Sequence, residues 1–154
     1  TEARHGQDSD WTVGTKFGRV PNGLHFGIDF CRMRGAHAAV EETIKRVASQ
    51  AGRNVMFAIE QDPGQAGKAE ASYYVRAMQG YNIRTFPVSR DKVTRAKPVS
   101  AQAEAGNIML VRGAWNWTFL TELENFPDGS HDDQVDTLSG GFNVLNPTFV
   151  PYMA

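Results

Sequence analysis

Two stretches with strand chemistry, then a regular alternation of helical and strand periodicities, restrict this 154-residue chain to a mixed α/β sheet with helices on its faces. Residues 11–20 and 24–34 are rich in β-branched and aromatic side chains, and Pro21-Asn22-Gly23 between them supplies the turn of an antiparallel hairpin. From 36 to 51 the apolar positions Val40, Ile44, Val47, Ala48 and Ala51 recur at helical spacing, and Gly52 stops the run. Val55 to Ile59 is a continuous apolar strand of the kind covered on both faces, and it ends in Glu60-Gln61-Asp62-Pro63-Gly64. Helices over 66–78 and 94–105, the second interrupted by Pro98, alternate with strands over 82–88 and 108–111. Trp115, Phe119, Leu120 and Leu123 mark a further amphipathic helix before a last one near the C-terminal end. The length is that of one domain.

That last helix carries the densest charge in the chain. His131-Asp132-Asp133-Gln134-Val135-Asp136 puts three carboxylates within one and a half turns, about 100° apart at most, beside a packing stripe of Val135, Leu138 and Phe142. Ser130 has the chemistry of a helix cap, and acids in a first turn are favoured by the helix dipole. A third acid one turn further in exceeds what capping needs. Carboxylate oxygens are the ligands that hard divalent cations take. Glu60 is the second informative acid, because chemistry in α/β sheets gathers at the carboxyl ends of strands. A strand-end acid facing acids on a helix can hold two cations about 4 Å apart.

Composition narrows the remaining choices. A net charge of −1 argues against a domain that coats nucleic acid by bulk electrostatics, yet Lys92, Arg95 and Lys97 form a local basic segment suited to a phosphate backbone. Cys31, the lone cysteine, excludes internal disulfides and multi-cysteine zinc sites; its apolar strand pattern predicts a packed thiol. No apolar run is long enough to cross a bilayer, and the polar residues 1–10 read as neither signal peptide nor anchor. Gly64-Gln65-Ala66-Gly67-Lys68-Ala69 is not a phosphate-binding loop of the Walker type. It lacks both the earlier glycine and the Ser or Thr after Lys68, so its glycines read as a tight strand-to-helix turn, with Lys68 available to a phosphate or to the acids. Asp29, mid-strand, is a further candidate for an inward acid, and Trp115 and Trp117, two apart, cannot share a helical face.

Five motifs in register carry a resemblance. Ile59-Glu60-Gln61-Asp62-Pro63-Gly64, Gly67-Lys68, Asp91-Lys92-Val93-Thr94-Arg95-Ala96, Gln102-Ala103-Glu104-Ala105-Gly106-Asn107 and His131-Asp132-Asp133-Gln134-Val135-Asp136 closely resemble, in order and spacing, the C-terminal nuclease domain of tailed-phage terminase large subunits. The similarity spans residues from about Asp10 to Asn143. It implies an RNase H-like fold and an endonuclease, dependent on Mg²⁺ or Mn²⁺, that cuts concatemeric double-stranded DNA during viral genome packaging in the cytoplasm of an infected bacterium. In the whole protein the implied partners are an ATPase motor domain, a terminase small subunit and a portal. The resemblance matches Glu60 to the family's strand-end acid and the Asp132-Asp133 pair to its helix acid. Asp133 is then the principal metal ligand, with Asp132 or Asp136 assisting. RNase H-like nucleases also need an aspartate on a first strand, which in this family precedes the segment matching residues 9–12; that strand is expected before Thr1, and without it weak metal binding and little cleavage are expected. Another RNase H-like nuclease of the resolvase type, or a DNA-binding or docking module without turnover, are the alternatives.

Overall fold

The protein is described here by a computed structural model, over residues 11–88 and 91–147. Strands β1 (Thr12–Arg19) and β2 (His25–Met33) form the expected antiparallel hairpin. Its turn is closed by the Gly23 amide donating to the Val20 carbonyl, with Gly23 at φ 92°. The ladder does not run evenly: Lys16 faces Asp29 but Phe17 faces Gly27, leaving Ile28 as an extra residue on β2. This bulge reverses the side-chain alternation. His25 and Gly27 are buried before it and Phe30 after it. Asp29 and Cys31, which an unbroken alternation from His25 would turn inward, are therefore exposed, and the expectations of an inward acid and a packed thiol do not hold.

Helix α1 (His37–Ala51) follows, then β3 (Met56–Gln61), α2 (Gln65–Ala77) and β4 (Asn82–Pro87), with β3 and β4 parallel. The turn from β3 into α2 is as tight as the glycines suggested. Gly64 has φ 95°, and a Cβ on Gly67 would overlap the Asp62 carbonyl. Helix α3 (Lys92–Glu104) begins two residues earlier than its periodicity suggests because Asp91 caps it, accepting from the Thr94 amide at 2.9 Å and its hydroxyl at 2.6 Å. Pro98 lies inside α3 without interrupting it, on an exposed side of the helix. Strand β5 (Ile108–Leu110), α4 (Asn116–Asn125) and α5 (Asp133–Leu145) complete the order.

The strands form two sheets, β1-β2-β5 and β3-β4. Helix α5 spans both. A Cβ on Gly141 would stand 3.6 Å from Thr15 and 3.7 Å from Phe17 of β1, whereas its neighbour Gly140 lies against Glu60 of β3. Strands β1 and β3 thus lie beneath the same point of one helix, and among the described residues neither pairs along its second edge. That open edge explains why β3 is not covered on both faces as its apolar run suggested: Ala58 and Glu60 are exposed and the rest only half-buried. The core gathers against α5, where Leu138 and Phe142 meet Phe30, Val99 and Phe119, with Phe17 of β1 packed beside them. Trp115 packs there too, 5.0 Å from Phe30 between ring centroids. Burying such side chains contributes about 1.5–3 kcal/mol each, which holds α5 against the sheet and fixes where its acids point.

Candidate metal centre

The acidic start of α5 is not capped by Ser130. Asp132 occupies the cap position without a side-chain cap bond, and the helix amides are satisfied from outside. Glu122 of α4, 8% exposed, accepts from the Gln134 amide at 2.6 Å, the Val135 amide at 3.2 Å and the Gln134 side-chain amide at 2.6 Å. A carboxylate taking three such bonds is well compensated at a helix N-terminus. With Glu122 serving the amides, the carboxylates of Asp132, Asp133 and Asp136 are left for other partners.

Two of those partners come from α3, which packs along α5. The Lys92 ammonium lies 2.5 Å from Asp132 and 2.9 Å from Asp136. The Arg95 guanidinium lies 2.7 Å from Asp136 and 3.6 Å from Glu60. Arg95 is only 11% exposed in its side chain, and the Asn143 side chain donates to its backbone carbonyl at 3.2 Å. Across some seventy positions of sequence, Glu60 and Asp136 therefore meet at one buried guanidinium. Burial raises the Glu60 carboxyl pKa; Arg95 opposes the shift and Asp136 adds to it. Asp133 makes no ion pair with Lys92 or Arg95. Loss of water raises its pKa as well, reinforced by Asp132 and Glu122 and opposed by Lys92 and by the nearby Trp11 backbone amide. Burial disfavours the charge on Lys92, but its bonds to Asp132 and Asp136 outweigh that effect and raise its pKa.

Of the residues singled out from sequence, the structure brings together Glu60, Asp132, Asp136, Lys92 and Arg95, places Asp133 one residue away on the flank toward β1, and leaves Lys68 and Lys97 exposed and without an ion pair among the described residues. Lys92 and Arg95, read as a phosphate-contacting segment, neutralise the acids. Two contributors went unnoticed in the sequence. Glu122 is an acid on the apolar face of α4, beside Phe119 and Leu123, a pattern that signals a buried carboxylate with a fixed partner. Gly140 sits where a Cβ would overlap Glu60 Oε1, so the Glu60 carboxylate can rest against α5 in this position only because glycine leaves room for it; the Gly140-Gly141 pair inside a helical pattern was the available sign.

The donor set suits a hard divalent cation, since every group is a carboxylate oxygen. Among the described residues, however, no three Asp, Glu, His or Cys side chains are grouped closely enough to hold one. Asp136 and Glu60 face each other through Arg95, and Lys92 takes the place of a counter-ion between Asp132 and Asp136.

A mixed α/β domain with acids at a strand end and at a helix start above it has the architecture of the RNase H-like nucleases. The family model of the terminase RNase H-like domain matches residues 3–143, nearly the whole chain, and the protein belongs to that family. Its fold is similar to that of the large terminase nuclease from thermophilic phage G20c, whose crystal structure has bound zinc, with a TM-score of 0.57 and 23% identity over 88% of this chain and 81% of that one. No curated protein matches it significantly. The chain is thus a terminase RNase H-like domain by family and fold, and no helix among its described residues is long and apolar enough to cross a membrane.

Proposed function

We propose that this domain is a metal-dependent endonuclease that cleaves double-stranded DNA during genome packaging, with Glu60, Asp132, Asp133 and Asp136 holding Mg²⁺ or Mn²⁺. The observation that carries this reading is the meeting of Glu60 with the α5 acids at Arg95, from elements far apart in sequence. When bound, such cations polarise the scissile phosphate, lower the pKa of an attacking water and stabilise the leaving oxygen. The chain's own residues do the positioning. Glu122 fixes the start of α5, Gly140 leaves room for Glu60 against that helix, and Arg95 holds Glu60 and Asp136 at one locus. Lys92 and Arg95 balance the acids until a cation or a phosphate takes over one side of each pair.

Among the described residues the facing edges of β1 and β3 beneath α5 are unpaired, which supports the reading that an acid-bearing strand belongs between them, beside Glu60. With that strand the acids would number enough for two cations. Without it the four carboxylates are expected to bind metal weakly and to cut slowly. In a whole terminase, the ATPase motor, small subunit and portal would deliver and align the DNA. A DNA-binding module without turnover is the second reading, favoured by the cations that already neutralise the acids.

Thermal melting in millimolar Mn²⁺ separates the two. A metal site raises the melting temperature through preferential binding to the folded state, and Glu60→Ala and Asp133→Ala abolish the rise. A rise untouched by both substitutions moves the site elsewhere. Nicking of supercoiled plasmid is expected to be slow, because no three of the described acids group closely enough to hold a cation; vigorous nicking with Mn²⁺ shows that they suffice.

A further inference from the structure

A groove of about 390 Å³ runs from the end of β2 along α4 to the loop that leads into the acids, and nothing derived above uses it. Arg32, Trp117, Thr121, Asn125 and His131 line it. Trp117 is 79% exposed, the most exposed of the large hydrophobic side chains. An indole held in water on a regular helix contributes nothing to the core, which already takes Trp115 from the same element. Arg32 reaches the groove from β2, where its guanidinium stands 4.4 Å above the Trp11 ring; Arg34 stacks 4.2 Å from that ring as well. The Trp11 backbone amide lies beside Asp133, so this cationic rim stands near the acids. His131 joins the rim to Asp132 along the chain. The one acid lining the groove, Glu122, is buried and turned to the amides of Gln134 and Val135.

We propose that this groove is a subsite for unpaired nucleotides of a DNA strand passing the acids, with Trp117 stacking on a base and Arg32 holding a phosphate. The inference rests on the reading of the domain as a nuclease acting on DNA and deepens it. Bases inside a duplex are stacked on one another and cannot present a face to a helix-borne indole, so Trp117 selects nucleotides freed at an end or a fray. The lining of hydroxyl and amide groups around one aromatic fits a stacked base with its polar edges solvated. A protein-docking core would need a wider apolar patch than Trp117 with Leu120 one turn on. Arg32 lies on the β1 flank of the acids and Lys92 on the α3 flank, so a strand laid across the acids would meet a cation on either side.

Fluorescence anisotropy with a labelled twelve-nucleotide oligo-dT and a labelled, hairpin-capped duplex, both in EDTA, tests this. Trp117→Ala is expected to weaken oligo-dT binding about tenfold and to leave duplex binding within about twofold, with Trp117→Phe restoring most of the loss. Arg32→Gln should weaken both and reduce the salt slope by about one. Because Trp117 is exposed, its variants keep the wild-type melting temperature. Oligo-dT binding unchanged in Trp117→Ala, with duplex binding and the Mn²⁺ response intact, overturns the subsite alone. An equal loss for both DNAs also overturns it. Wild-type protein that binds neither DNA overturns the subsite and the DNA reading together. Unchanged DNA binding with altered sedimentation in Trp117→Ala assigns the indole to a protein contact instead.

Discussion

Replacing Lys92 by methionine should tighten divalent-cation binding. Its ammonium lies 2.5 Å from Asp132 and 2.9 Å from Asp136, where a cation shared by those carboxylates would also sit. A dication taken up by the same two carboxylates beside the ammonium would stand about 4–5 Å from it. Because the Lys92 side chain is 50% exposed, a water-like dielectric applies, and the repulsion amounts to about 1–2 kcal/mol. Removing it is worth about tenfold in Mn²⁺ affinity. The cost in stability is small, below about 1 kcal/mol, since the pair is largely solvated and methionine keeps most of the aliphatic stem. Titration calorimetry with Mn²⁺ on wild type and Lys92→Met reads the change. Lys45→Met, which breaks only the Glu41 pair on α1, is the control expected to leave Mn²⁺ affinity alone. Equal or weaker Mn²⁺ binding by Lys92→Met would refute the claim that Lys92 stands in for a cation.

Other outcomes follow from the same geometry. Glu60 has a raised pKa when folded, so the folded state holds its proton more tightly than the unfolded one, and stability declines as pH rises through the range above 4.5. Glu60→Gln removes that decline: in EDTA its melting temperature should exceed wild type by about 1–3 °C at pH 7 and match it near pH 4. Glu122→Ala strips three bonds from the start of α5 and should cost about 3 kcal/mol, seen as a lower urea midpoint with an unchanged m-value. Gly140→Ala places a methyl where Glu60 Oε1 lies and should displace that mobile carboxylate, costing less than about 1 kcal/mol of stability while weakening the Mn²⁺ melting shift; a variant as responsive as wild type would remove the close approach from the account.

The order of elements was legible because each segment states its period plainly, and the Val135, Leu138 and Phe142 stripe placed α5 correctly against the core. What went unread depends on contacts between segments. The extra residue at Ile28 reverses the β2 alternation and exposes Asp29 and Cys31, and no composition rule announces a bulge that only the register with β1 creates. Ser130 looked like a cap because local chemistry is all a sequence displays; Glu122, eight positions earlier on another helix, does that work through space. The acids themselves stood out by density. Their partition did not: Asp136 joins Glu60 through Arg95, while Asp133 turns toward Trp11, a split set by the helix's orientation over two sheets.

Crystals soaked in Mn²⁺ and measured at the manganese absorption edge test the central claim most directly. The account predicts anomalous density within coordination distance of Glu60 and at least one of Asp132, Asp133 and Asp136. Manganese bound only at sites that exclude Glu60, with Arg95 still joining Glu60 to Asp136, would contradict it.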